Sequence, residues 1–342
     1  MDPRSSYLVI RMSSIGDIVL TEPVVACLRA ADPDAEIGFV VKERYVDLVR
    51  GNPAIARIHA LRDGSARSLS SLCRDIGRRR YEVLIDLHAN LRSLFLARCV
   101  AAGVVTRYRK RARGDAVRVR IGRAAYRADR RLVDRYLDTL SVLGIECVRR
   151  RPRFHLDDRD VESAGRLLSE FGLEHGSYAV IVPGSKWPTK TWPADRFAEV
   201  ASALASEEGL RILVLGSRGE SVLAERVASG APGAVNAAGR TSLGETAALL
   251  SGARLAVGND SGPTHIAMAL DTPTVAIFGP TDPSQFDFEG HELAYADLPC
   301  SACSFFGTRR CRLGHWLCMR TIPARDVVAA ARGLLARGGT VA

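Results

Sequence analysis

Short apolar runs alternate with amphipathic stretches along the whole chain. Residues 7–10 (YLVI) and 36–41 (EIGFVV) read as buried strands, with a helical pattern over 17–31 between them. A short helix follows near 45–49, then strand candidates at 55–61 and 83–87 separated by a polar, Arg-rich helix. The second half repeats the theme, with strands at 179–182, 212–215, 255–257 and 274–278 and helices over 194–206, 220–228, 243–250 and 263–270. The clearest strand candidates are continuous apolar runs rather than alternating ones, as in parallel strands covered on both faces. Strand–helix alternation of this kind predicts an α/β chain built on doubly wound parallel sheets.

A chain of 342 residues suits two such domains rather than one. The break is expected within 152–178, where Pro152 ends an Arg-rich stretch and a helical segment over 161–171 leads to Gly172 and Gly176. This predicts an N-terminal domain over 1–160 and a C-terminal domain over 161–342. The second domain closes on a Cys-rich segment and an amphipathic helix over 323–337, with Pro323 at its first position.

Charge narrows the class of partner. The formal net charge is +10, almost all of it from Arg, which favours phosphates, nucleic acid or an acidic lipid surface. No run approaches the ~20 apolar residues that span a bilayer, and the first ten residues lack a signal-peptide core. A cytoplasmic location is therefore expected, with the 8 cysteines as thiols or metal ligands rather than disulfides. Cys27, Cys73, Cys99 and Cys147 read as scattered packing residues. Cys300, Cys303, Cys311 and Cys318 form C-x2-C-x7-C-x6-C, with His315 as a spare ligand. That set can enclose a structural metal, stay as free thiols or pair, and its spacing is not that of a zinc ribbon.

Three strand-to-helix loops carry chemistry. RMSSIGDIVLTEP, residues 11–23, follows the first strand, and ligands of open α/β sheets bind at such carboxyl ends. Asp17 stands where the next helix begins, as a reacting carboxylate or simply as its cap. The run is not G-x-G-x-x-G, so no dinucleotide fingerprint is present. PGSKWPTKTWP, residues 183–193, offers the amides of Gly184 and Ser185 and the ammonium groups of Lys186 and Lys190 to an anion, without Walker A spacing. GNDSGPTHIAMAL, residues 258–270, turns at Asp260, Ser261 and Gly262 into a helix whose free N–H groups suit a diphosphate. His265 lies in its first turn, and Asp260 can accept from sugar hydroxyls. A carboxylate to take an acceptor proton, with lysines and a helix N-terminus to hold a departing diphosphate, is what transfer from a nucleotide diphosphate sugar requires.

These three stretches, together with DTPTVAIFGPTDP at 271–283, resemble glycosyltransferase family 9, the bacterial ADP-heptose:lipopolysaccharide heptosyltransferases. The resemblance runs from about residue 7 to 320. It implies a GT-B fold, with two Rossmann-like domains facing across a cleft, inverting chemistry, no cofactor and no metal required for catalysis. It also implies heptose transfer from ADP-heptose to the inner core of lipopolysaccharide. On matching positions, Asp17 would be the general base and Lys190 would contact the donor's phosphates. Ser185 and Lys186, where close relatives commonly have Thr-Thr, would touch the diphosphate, as would Ser261, Gly262 and His265. Asp260 would hold the heptose hydroxyls, Glu220 the ribose, and Thr241 would sit near the base.

The acceptors of that family are phosphorylated, lipid-linked saccharides, which implies peripheral contact with the inner face of the cytoplasmic membrane. The Arg-rich stretch over 107–131 is a candidate surface for them, or else a solvated basic loop. Ser14 and the DLHANLRS run, with His88, Asn90 and Arg92, are candidate acceptor contacts. Three rivals stand beside this reading: a family 9 transferase using another nucleotide sugar or acceptor, a silent binding module of the same fold, and a basic nucleic-acid-binding protein. No aromatic-interleaved basic motif supports the last, so no nucleic-acid partner is expected.

Overall fold

In the computed structural model, which describes residues 5–110 and 127–338, the chain divides into two compact units. Among the described residues the first unit comprises 5–110 and 130–157, and the second 127–129 and 158–338. Each is a parallel sheet wrapped by helices.

The first sheet has five strands, β1 (Ser6–Ile10), β2 (Glu36–Lys42), β3 (Arg57–Leu61), β4 (Val83–Asp86) and β5 (Val104–Arg107). Their order is β3-β2-β1-β4-β5, all parallel. The chain winds outward from β1 to β3, then returns to lay β4 on the other side of β1. The winding therefore reverses between β1 and β4, and the loops leaving these two strands diverge there. Such a switch point leaves a crevice at the carboxyl ends of the strands. Leu8, Ile10, Val40, Leu61, Leu84 and Leu96 are fully buried in this unit's core.

The second sheet has six strands, β6 (Tyr178–Val182), β7 (Arg211–Val214), β8 (Val235–Asn236), β9 (Leu255–Asn259), β10 (Thr274–Phe278) and β11 (Glu292–Tyr295). Their order is β11-β10-β9-β6-β7-β8, again parallel throughout. Its switch point falls between β6 and β9. The final helix, Ala324–Gly338, adds Val327, Ala331 and Leu334 to the core of this unit.

The apolar runs locate the central strands and the edge strand β3, whereas the other three edges escape them. β5, β8 and β11 are short edge strands with no continuous apolar run, and Val105 of β5 is 53% exposed. The single helix expected over 17–31 is two, Ile15–Val19 and Glu22–Ala31. Thr21 Oγ1 donates to the Ile18 carbonyl at 2.7 Å, and Pro23 has no N–H to continue the ladder. The expectation for four cysteines is corrected: Cys27 pairs with Cys147 and Cys73 with Cys99, at Cα separations of 5.6 and 5.5 Å. Partners 120 and 26 residues apart in sequence meet only once the sheet is wound, so composition could not reveal them.

β9 approaches its neighbours closely. A Cβ on Gly258 would stand 2.6 Å from Thr264 Oγ1, 3.1 Å from Val182 Cβ and 3.2 Å from the Val182 carbonyl oxygen. Gly258→Ala should therefore cost about 1–3 kcal/mol of stability through overpacking, measured by urea denaturation. An unchanged midpoint would show that strand and helix can part there without cost.

Candidate active-site residues at the strand ends

In the first unit the loop leaving β1 builds a carboxylate site. Ser14 caps the short helix Ile15–Val19, and Asp17 sits at its third position. Asp17 Oδ2 accepts from the Ser14 amide at 3.1 Å and from Ser14 Oγ at 2.6 Å, the carboxylate half of a capping box. The other oxygen is held quite differently. Arg11 Nη2 lies 2.7 Å from Asp17 Oδ1, and Tyr136 OH, from the helix Leu132–Ser141, donates to the same oxygen at 3.3 Å. Arg11 is itself fixed, donating through Nη1 to the Leu87 carbonyl at 2.5 Å and through Nε to the Ser13 carbonyl at 3.0 Å. Its guanidinium stands 5.3 Å from the Tyr136 ring centroid. Capping and charge pairing thus fall on one carboxylate. Burial alone would raise the Asp17 pKa, but Arg11 and the Ser14 hydrogen bonds outweigh it and hold the group below its ordinary value.

Across the switch point, the loop after β4 is organised by Asp86. This fully buried carboxylate accepts from the amides of His88 and Ala89 and from Ser93 Oγ at 3.0, 2.8 and 2.8 Å, and pairs with Arg107 Nε at 3.0 Å. His88 is thereby placed near Arg11 and Asp17, and its pKa is lowered to about 4 by burial and by the nearby Arg11 and Lys110 charges. It is neutral at pH 7, with a buried Nδ1 that has no hydrogen-bond partner among the described residues. Of the proposed acceptor contacts, Ser14 and His88 thus lie near Asp17. Asn90 caps the helix Leu91–Arg98 through Ser93, and Arg92 is exposed, with its guanidinium over Gly64. Most of the Arg-rich stretch, 111–126, lies outside the described residues. On its flanks, Arg107 pairs with Asp86, Arg127 with Asp297 and Arg130 with Asp138.

In the second unit the loops after β6 and β9 are tied together at their switch point. Asn259, fully buried, donates through Nδ2 to the Pro183 carbonyl at 2.7 Å and accepts from the Trp192 amide at 3.0 Å. Buried Trp192 then anchors its own loop by donating Nε1 to the Ile322 carbonyl at 3.1 Å. The result brings Lys190 Nζ to 2.6 Å from Asp260 Oδ2. Thr281 Oγ1, from the loop after β10, donates to that same oxygen at 2.6 Å, and His265 Nε2 lies 3.0 Å from Oδ1. The His265 ring packs on Phe286 with centroids 4.7 Å apart. Burial would raise the Asp260 pKa, yet Lys190 and His265 drive it far below the usual carboxylate range.

Lys190, Asp260 and His265 therefore converge, with Ser261 and Gly262 at the start of the helix Gly262–Ala269. Glu220 closes a capping box on Ser217 and presses against the phosphate-binding candidate loop, since a Cβ on Gly184 would stand 2.0 Å from its Oε1. The remaining three are less engaged. Ser185 is half-buried, exposed Lys186 lies 5.5 Å from the Trp187 ring centroid, and Thr241 shares a 2.9 Å hydroxyl contact with Thr246. Sequence reasoning missed Arg11, Tyr136, Asp86 and Thr281 as site residues. Arg11 and Thr281 stood inside the quoted motifs, whereas Tyr136 lies 119 residues from Asp17 and carried no signal.

The four C-terminal cysteines form no disulfide, and Cys300 Sγ lies 3.9 Å from His315 Nε2. Burial and its neighbouring thiols push Cys318 up to about 12. Among the described residues, no group of three or more His, Cys, Asp or Glu side chains is arranged to hold a metal ion.

Comparison with known proteins places this geometry. A model of glycosyltransferase family 9 (heptosyltransferase) matches residues 69–303, more than half of the chain. The chain belongs to glycosyltransferase family 9. It is 28% identical over 320 residues to lipopolysaccharide heptosyltransferase 1 of Pseudomonas aeruginosa, covering 86% of this chain and 85% of that protein. The crystal structure of a family 9 glycosyl transferase from Veillonella parvula superposes with a TM-score of 0.79 at 23% identity, over 98% of this chain and 99% of that one. The E. coli ADP-heptose lipopolysaccharide heptosyltransferase II gives 0.74 at 20%, over 98% and 100%. The chain is thus a glycosyltransferase of the GT-B fold class, with the two parallel-sheet α/β units that class requires.

The Lys190–Asp260 pair gives a stability test of the family 9 site. Lys190→Met should cost about 3 kcal/mol at pH 7, because it strands a buried carboxylate. Adding Asp260→Asn should recover much of that loss in urea denaturation, since the stranded charge is gone. Simple additivity of the two losses would contradict a coupled pair. Because the native Asp260 pKa is depressed, its contribution is complete above the unfolded carboxylate value of about 3.9 and fades only below it.

Proposed function

We propose that this chain transfers heptose from ADP-heptose to the inner core of lipopolysaccharide, on a lipid A-linked acceptor, with inversion at the anomeric carbon. The observation that carries the reading is the pairing of functions at the two switch points. An ionised carboxylate stands at one, and a Lys–Asp–His cluster beside a helix N-terminus stands at the other. The names of its relatives support ADP-heptose as donor and lipopolysaccharide as acceptor.

Asp17 acts as general base. Its carboxylate takes the proton of an acceptor hydroxyl as the oxygen attacks the anomeric carbon and the bond to the diphosphate breaks. A group already ionised at neutral pH is ready for that step, and its low pKa limits how strongly it pulls. Arg11 and Tyr136 are positioning residues, since both act through Asp17. His88 and Ser14 face the acceptor, with Asn90 and Arg92 further along the same loop and helix.

ADP leaves as an anion and must be held. Lys190 has three N–H donors and spends one on Asp260, which leaves two for phosphate oxygens. Ser185, Lys186, His265 and the amides at Ser261 and Gly262 complete the diphosphate site. Asp260 keeps acceptor capacity on Oδ1 for a sugar hydroxyl. Glu220 holds the ribose, and Thr241 lies by the base. No cofactor enters these steps, and the reading needs no metal for catalysis.

The chain works in the cytoplasm, at the inner face of the membrane that holds its acceptor. No helix among the described residues is long and apolar enough to cross a membrane.

A donor panel with purified protein tests the assignment. ADP-heptose should support transfer to a lipid A-linked acceptor, and turnover only with a UDP- or GDP-sugar would refute it. In the same assay, Asp17→Asn should reduce kcat at least about a hundredfold with ADP affinity unchanged; full activity would remove Asp17 from the mechanism.

The positioning role has its own signature. Arg11, Ser14 and Tyr136 touch Asp17, while His88 and Lys110, just beyond β4 and β5, interact with it electrostatically; Tyr108 acts on Arg11, and Lys42 on His88. Arg11→Met removes the main charge that lowers the Asp17 pKa, so burial takes over and the acid limb of the kcat/KM profile should move to higher pH. Arg11→Lys should move it less. A limb that stays in place in Arg11→Met would show that Arg11 has only a structural role.

A further inference from the structure

The second unit carries a basic, partly apolar surface apart from the residues assigned to transfer. Between Asp297 and Asp326 there is no acidic residue, while Arg309, Arg310, Arg312, Arg320 and Arg325 all fall in this interval. The same interval exposes large apolar side chains: Phe306 is 68% exposed, Leu313 56% and Leu317 43%. They belong to the loop between β11 and the last helix, and Arg309, Arg310 and Arg312 stand exposed among them. Among the described residues neither Arg309 nor Arg310 has a carboxylate partner.

This loop is built, not loose. Thr189 Oγ1 donates to the Thr308 carbonyl and accepts from the Thr308 amide, each at 2.8 Å. Gly307, at φ +93°, lies so close that a Cβ there would stand 2.7 Å from Trp187 Cβ and 2.8 Å from Lys190 Cδ. The Ser304 amide donates to the Pro280 carbonyl at 2.9 Å, and Cys318 and Met319 enter the unit's core. The backbone is thus pinned beside Lys190 while the Phe306, Leu313 and Leu317 side chains point into solvent. Three large apolar side chains left in water so close together in sequence favour a cover, and the exposed arginines between them in sequence select an anionic, partly apolar one.

We propose that the segment over 304–317 docks this chain on an anionic lipid bilayer, with Phe306, Leu313 and Leu317 entering the headgroup layer and Arg309 and Arg310 pairing with lipid phosphates. The charge excludes a zwitterionic surface as the preferred one, because arginine attraction adds to burial only where the lipid carries net negative charge. Long Arg stems can lie along the apolar groups while their heads reach phosphate. The inference rests on the proposed use of a lipid-linked acceptor for its purpose, since docking here would keep the Lys190 loop near the membrane. Its measurement needs no substrate.

Co-sedimentation of the purified full chain with phosphatidylglycerol-containing vesicles, and with pure phosphatidylcholine vesicles, tests it. The chain should bind the former, less so as salt rises, and leave the latter in solution. Phe306→Ser with Leu313→Ser, and separately Arg309→Gln with Arg310→Gln, should each weaken vesicle binding more than about tenfold. Thermal melting should be unchanged in both, because all four side chains are exposed. Turnover with a water-soluble acceptor fragment should stay at the parent level. Wild-type binding to neither vesicle, equal binding to both, or variants that bind like the parent would overturn the proposal. So would variants that change the sedimentation coefficient while vesicle binding persists, because the loop would then be a contact between copies. Vesicle binding without heptose transfer would refute the donor reading and leave the docking surface standing.

Discussion

Two carboxylates, Asp260 buried and Asp17 partly buried, each kept ionised by a nearby cation, organise the strand-end loops of the two units. Asp17 is held by Arg11, and Asp260 by Lys190. Burial works against charge in both cases, so each site exists only while its partner stays within hydrogen-bonding distance. The partners come from adjacent strand ends or from one strand-end turn, so the sheets set the distance. A shift of β9 against β6 would part Asp260 from Lys190. Asn259 prevents that shift by binding both Pro183 and Trp192 across the switch point.

The two sites differ in what their pairing leaves free. At Asp17 every partner but one comes from within six residues, and Tyr136 supplies the long-range contact. The carboxylate is oriented by Ser14 on one oxygen and charged against Arg11 on the other. Asp260 is instead crowded by three side chains, from the turns after β6 and β10 and from the helix Gly262–Ala269, which fixes it as a hub. Lys190 is partly neutralised by this hub, so in the proposed mechanism attraction for a diphosphate also draws on the helix N-terminus and neighbouring amides.

Much of this was legible in sequence because parallel central strands are continuous apolar runs and because strand-end loops are short. The three motifs contain Asp17, Lys190, Asp260 and His265. What escaped was non-local or marginal. Tyr136 reaches Asp17 across 119 residues, and no local motif joins the two. Asp86 looked like the end of a strand, and only the fold reveals four donors around it. Edge strands such as β8, two residues long, lack the burial that writes an apolar run. The cysteine pairs needed the wound sheet to bring them together.

The central claim is that both aspartates remain charged against burial because of their cations. Carboxyl-carbon NMR of selectively labelled protein, titrated from neutral pH downward, reads each group directly. The account predicts that Asp17 and Asp260 show no inflection until the pH is below the ordinary carboxylate value of about 3.9. An inflection of either group above that value would contradict it.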